Sequence, residues 1–182
     1  MTNAPAKVAF LATEGTEQVE WEQPWEALKS AGAAPVLLTP GGGDVQFFDH
    51  IDRGKTVPSD EDLAHANPRA FDALVLPGGV IGSDFLRADD KVVTFVREFA
   101  ETGRPLAAIC HAGWILIEAG VVKGKTLTSY PSLRTDLANA GANWIDKEVV
   151  QDGPLITSRR PDDLEAFSKT IISHLFPADG TT

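Results

Sequence analysis

Short apolar runs recur along this chain, each separated from the next by a stretch long enough for a helix, and that alternation narrows the fold more than any other feature. Lys7 to Ala12 (KVAFLA), Ala34 to Thr39 (APVLLT), Phe71 to Gly79 (FDALVLPGG) and Arg104 to Cys110 (RPLAAIC) are rich in Val, Leu and Ala. Continuous apolar runs of that length read as strands buried on both faces. The segments between them carry helical periodicity. Val19, Trp25 and Leu28 share a face in the first, with Gly32 as its stop and a kink or restart predicted at Pro24. Val92, Val93, Phe95, Val96 and Phe99 make the stripe of the second, which ends at Gly103. HAGWILIEAG follows the Arg104 strand directly, an amphipathic helix surrounds SLRTDLANAGA, and the last helix starts at Pro161 with Asp162 and Asp163 in its first turn. KEVVQ and PLITS read as a hairpin about Asp152-Gly153. Residues 44–70 read as irregular, with a small hairpin near Phe47-Phe48 and a short helix in SDEDLAHA. Strands alternating with helices predict a single-domain three-layer α/β/α sandwich on a mostly parallel sheet. The domain covers residues 1–182, with a core at about 6–176 and a loose tail, PADGTT.

The chain's 182 residues suffice for one domain with a real core, and 43% hydrophobic residues with both charge signs present place it among globular proteins. No apolar run approaches the roughly 20 residues of a membrane-spanning helix, and the first ten residues lack a secretory pattern. One cysteine forbids an intramolecular disulfide, so a cytoplasmic location is expected. Four scattered histidines and one cysteine also count against a metal cluster, and no cofactor is expected. A net charge of −10 argues against a nucleic-acid partner.

Sites in open α/β sheets form beyond the C-terminal ends of the strands. Three segments lie there: FLATEGTE, LPGGVIGSD and AAICHAGW. The last holds the single cysteine, Cys110, at a sharp strand-to-helix turn, where a nucleophile elbow needs small residues on either side. Ala108 and Ala112 meet that need. The helix N-terminus favours a thiolate there, although a lone cysteine in an apolar strand is otherwise an inert packing group. Gly78 and Gly79 offer unhindered backbone N–H groups that, with that of His111, can hold a developing oxyanion. Glu14, Glu17, Glu20 and Glu22 crowd the entry to the first helix. A desolvated one could move a proton at Cys110, and spacing alone does not choose among them. Arg159 and Arg160 are expected to pair with Asp162 or Asp163, Tyr130 lines the pocket mouth or packs, the four tryptophans read as core or interface, and His50, His65 and His174 read as surface residues.

AICH, LVLPGG, TSYPSLRTDLANAGANW, the DG, LITSR and PDDLEAF of the C-terminal part and the VE of the first helix, in this order, resemble the PfpI family of the class I glutamine amidotransferase-like superfamily. The resemblance covers nearly the whole chain and implies a flavodoxin-like sandwich. It matches Cys110 to the elbow nucleophile and His111 to the histidine that follows it, and makes the His111 N–H more useful than its ring. It matches Glu17, rather than Glu14 or Glu20, to the glutamate bonded to the cysteine, and Gly78, Gly79 and His111 to the oxyanion donors. In PfpI-type proteases a carboxylate from a second subunit reaches the histidine, and Asp84 is the nearest candidate here. That implies a homodimer or higher oligomer. Many relatives have Gly-Pro after the histidine, where this chain reads Ala112-Gly113-Trp114; Ala112 and Trp114 are expected to narrow the pocket and make it more apolar. The resemblance implies a cysteine-dependent, cofactor-independent hydrolase or lyase acting on a small-molecule or protein-adduct substrate such as a methylglyoxal adduct. Its alternatives are an intracellular cysteine peptidase and a non-enzymatic peroxide sensor or holdase.

Overall fold

The computed structural model describes residues 4–177; apart from Pro177, the tail expected to be loose lies outside them. In chain order the strands are β1 (Lys7–Leu11), β2 (Ala34–Thr39), β3 (Asp44–Asp49), β4 (Asp52–Pro58), β5 (Glu61–Asp62), β6 (Ala73–Leu76), β7 (Leu106–Ile109), β8 (Thr126–Leu127), β9 (Asn143–Trp144), β10 (Val149–Asp152) and β11 (Leu155–Ser158). The helices are α1 (Gln18–Ser30), α2 (Val80–Arg87), α3 (Asp90–Ala100), α4 (Gly113–Glu118), α5 (Arg134–Asn139) and α6 (Leu164–Leu175).

A seven-stranded sheet runs in the order β10-β11-β7-β6-β1-β2-β5. Every pairing in it is parallel except β10 with β11. From β1 the chain first adds β2 on one side and later β6 on the other, so the order reverses between β1 and β6. Such a switch point opens a crevice at the strand ends. Alternation along the strands divides the interior into two cores. Ala9, Leu11, Leu74, Leu76, Leu106 and Ala108 pack against the side built from α2 to α5. Val8, Phe10, Ala73, Val75, Ala107 and Ile109 face α1 and α6. The expected three-layer sandwich on a mostly parallel sheet is present.

The structure departs from the sequence reading in several places. VIGSDFLR, read as loop, is the helix α2, whose Val80, Ile81 and Phe85 stay exposed while Leu86 is buried. An exposed apolar face gives no core-facing stripe to recognise. SDEDLAHA shrinks to a 3-10 turn at Leu63–His65. Helix α1 continues through Pro24 without a restart; the proline removes only the N–H that would reach the Glu20 carbonyl.

The β3–β4 hairpin stands outside the main sheet and folds over the end of β1. Phe47 stacks on Trp21 of α1 at 4.4 Å, the Phe48 N–H donates to the Thr16 carbonyl at 2.9 Å, and the Gly15 N–H to that of Gln46 at 3.0 Å. This docking brings the hairpin's turn, His50-Ile51, to the mouth of the crevice.

Candidate active site

The ends of β7, β6 and β1, three neighbours in the sheet, deliver the three loops singled out in the sequence to one cavity of about 260 Å³. At the end of β7 the chain turns abruptly. Cys110 has φ of +62°, a left-handed conformation that costs a residue with a side chain about 1 kcal/mol or more. Ile109 before it is extended, a 3-10 turn over Cys110–Ala112 follows, and α4 begins at Gly113. The Tyr130 N–H donates to the Cys110 carbonyl at 3.2 Å and ties the turn down. The thiol is buried, at 7% exposure, and the Gly79 and His111 N–H groups point at the sulfur.

The carboxyl in contact with the thiol is that of Glu20, not Glu17. Glu20 is fully buried. Its Oε2 accepts from the Gly78 N–H at 2.8 Å, while Oε1 meets no hydrogen-bond donor at good geometry among the described residues. Burial, strengthened by the nearby Glu17 charge, pushes the Glu20 carboxyl up to about 8 against the opposing pull of the Gly78 N–H and the thiol. At neutral pH it is therefore largely protonated, and with Oε2 occupied the proton belongs on Oε1. Burial also pushes the Cys110 thiol up, as does a Glu20 carboxylate. A neutral Glu20 removes that second effect, yet burial, the largest influence, still outweighs the two N–H groups, so Cys110 is held as a thiol and not shifted toward the thiolate expected from the helix N-terminus.

Glu17 lies one helical turn earlier, at the cap of α1. Its Oε2 accepts the His50 N–H at 3.1 Å, and Oε1 is 3.7 Å from His50 Nδ1. Burial raises the Glu17 carboxyl, and the His50 N–H and ring partly offset this. Spacing of three places both glutamates on one side of the helix; the thread of the Pro77-Gly78-Gly79 loop decides which one meets the cysteine. Gly78, expected as an oxyanion donor, has its N–H committed to Glu20. The donors are therefore Gly79 and His111.

The His111 ring contributes as well as its N–H. Nδ1 is 3.1 Å from Cys110 Sγ, Nε2 is 3.4 Å from the Ser132 hydroxyl, and the ring stacks on Tyr130 at 4.6 Å. Burial lowers its pKa and favours neutral imidazole. Asp84 of the same chain does not line the cavity: it pairs with Arg87 at 2.8 Å. Arg159 grips Asp163 through two bonds, at 2.8 and 3.0 Å, and Asp146 at 2.7 Å, an ion-paired arrangement that leaves its guanidinium engaged. Sequence reasoning read His50 as a surface residue, and its ring is exposed, but it also lines the cavity; Ser132 was not singled out. Ser132 lies within the TSYPSLRTDLANAGANW stretch but carries no signal of its own, and only folding brings both residues to the site. Glu17, Asp49 and His50 also place potential ligand atoms within 4.8 Å of one another, but Asp49 and His50 are exposed.

The model of the DJ-1/PfpI family matches residues 6–174. The chain belongs to the DJ-1/PfpI family. It is 40% identical over 169 residues to the Bacillus subtilis protein named "Putative cysteine protease YraA", covering 93% of this chain and 98% of that one. Among solved structures of the DJ-1/PfpI type it is similar to Drosophila melanogaster DJ-1beta. That match has 32% identity and a TM-score of 0.87, over 96% of this chain and 92% of the other. It is also similar to a two-domain Anabaena variabilis protein with DJ-1/ThiJ/PfpI-like and ferritin-like domains. There identity is 36% and the TM-score 0.89, over 93% of this chain and about half, 48%, of the other. Among the described residues no helix is long and apolar enough to cross a membrane.

A buried acid with a raised pKa predicts a pH signature. Glu20 binds its proton more tightly folded than unfolded, so its contribution to stability is full below the ordinary carboxyl value of 4.5 and fades as pH rises through about 8. Melting temperatures of wild type and Glu20→Gln, taken across pH 6 to 9, should show the wild type losing more stability over that window. Parallel curves would contradict a proton on Glu20.

Proposed function

We propose that this family member is a cysteine-dependent, cofactor-independent enzyme acting on reactive carbonyl compounds such as methylglyoxal or its adducts, in a stress-protection role. The observation carrying this reading is the strained Cys110, its sulfur faced by two N–H donors and a buried acid inside a small cavity. The Cys110 thiol gives its proton to the neutral His111 ring at Nδ1, 3.1 Å away, as the sulfur bonds to the aldehyde carbon; the carbonyl electron pair moves to oxygen, which takes the Glu20 proton beside the Gly79 and His111 N–H groups. The Glu20 carboxylate then removes the proton from that carbon and returns it to the neighbouring one, while the hydroxyl proton on the first carbon's oxygen passes to the oxygen of the second. The hemithioacetal becomes the thioester of a 2-hydroxy acid with no change in overall oxidation state. Water releases the acid. A cavity of about 260 Å³ suits a compound of a few heavy atoms.

A cysteine peptidase is the second reading, supported by the 3.1 Å contact between Cys110 Sγ and His111 Nδ1 and by the name of the Bacillus subtilis relative. An acid behind His111 would then come from Asp84 of a second copy, so that reading also requires self-association, and Asp84→Asn should abolish it. A panel of methylglyoxal, its thiol and amine adducts and peptide substrates separates the two. Lactate release from methylglyoxal, with a Cys110-bound intermediate seen by mass spectrometry, supports the first. Peptide cleavage without carbonyl turnover would refute it.

A further inference from the structure

Among the described residues two that are not glycine have positive φ, Cys110 at +62° and His50 at +58°, and both line the same cavity. Strain of this kind persists where the surrounding structure holds a side chain in a required place. For Cys110 the reason is the elbow. His50 occupies the first of the two residues joining β3 to β4, since Asp49 and Asp52 are paired on either side. Tight hairpins place glycine, asparagine or aspartate there because the turn demands positive φ, and an imidazole is not needed for the turn itself.

The neighbours of His50 orient it. Its N–H is held by Glu17 Oε2 at 3.1 Å. Its ring Nδ1 lies 3.2 Å from Asp49 Oδ1 and 3.7 Å from Glu17 Oε1. Two carboxylates facing Nδ1 keep the proton on that nitrogen and leave the Nε2 lone pair free. The ring is 80% exposed and His50 lines the cavity that holds Cys110, so water can reach its ring at the cavity mouth.

We propose that His50 is the general base for the water that frees Cys110 from its acyl intermediate, with Glu17 and Asp49 as the residues that position it. This rests on covalent chemistry at Cys110. The water oxygen bonds to the thioester carbonyl carbon while one of its protons passes to His50 Nε2. The C–S bond then breaks, the carboxylic acid leaves, and the thiolate is restored. Glu20 and His111 are packed around the sulfur and act in forming the intermediate, so His50 acts only in the second half of the reaction.

p-Nitrophenyl acetate separates the halves, because acetylation of Cys110 releases a burst of nitrophenol and thioester hydrolysis sets the steady rate. His50→Gly keeps the backbone N–H to Glu17 and relieves the strain, so its melting temperature should equal or exceed that of the wild type. Its burst should remain while its steady rate falls about 100-fold, with acetyl-Cys110 accumulating by mass spectrometry. His50→Gln should show the same split. A His50→Gly protein that turns over at the wild-type steady rate, or that loses its burst, overturns the assignment. A wild type without any burst instead defeats the covalent role of Cys110, and this proposal with it.

Discussion

Cys110→Ser should leave a folded protein whose turnover of methylglyoxal is at least about 10³-fold slower than wild type, because removing the group that forms the covalent bond leaves only binding and N–H stabilisation. The fold should hardly notice. Serine keeps the Cβ and hence the same left-handed strain at φ of +62°, and its hydroxyl oxygen can accept the proton that Glu20 carries on Oε1, which lacks a hydrogen-bond partner. The melting temperature should therefore stay close to wild type. Steady-state rates and thermal melts on the same preparations check both halves. A folded Cys110→Ser protein with wild-type turnover would remove the cysteine from the chemistry.

Gly78→Ala should damage stability and activity together. A Cβ there would lie 2.6 Å from Glu20 Oε2, 2.7 Å from the Cys110 Cβ and 2.7 Å from the Ile109 carbonyl oxygen. The last two atoms belong to the elbow and cannot swing aside as the end of a flexible side chain can. Overpacking of this severity costs about 3 kcal/mol, which in a chain of this size lowers the melting temperature by roughly 6–12 °C. The relief available is to push Glu20 away from the thiol or flatten the elbow, and either should lower turnover by about 100-fold or more. Calorimetry and the methylglyoxal assay together test this. An alanine variant melting within about 2 °C of wild type at full activity would show that the three segments are not locked together at this glycine.

The strands most legible in the sequence were those buried on both faces, while the β10–β11 hairpin was read from its Asp152-Gly153 turn. β1, β6 and β7 are continuous apolar runs because each strand faces a core on either side, and burial of that kind writes itself into composition. β5, β8 and β9, two residues each, are too short to carry a period. Helix α2 was missed because its apolar residues face outward. At the site, the cysteine, the histidine after it and the Gly-Gly turn were visible because each sits at a strand end with a local signature. The acid was not: Glu17 and Glu20 are chemically identical and one turn apart.

What the chain determines by itself is the layered sheet and an elbow with a single thiol, since each follows from local pattern and from short-range sterics. Which carboxyl meets that thiol, which N–H groups remain free beside it and which histidine guards the mouth depend on contacts between residues far apart in the chain. Gly78 is 58 positions from Glu20 and His50 is 33 from Glu17. Only closure of the sheet and docking of the β3–β4 hairpin bring those partners within hydrogen-bonding range. A short-range pattern carries no record of distances that packing alone creates.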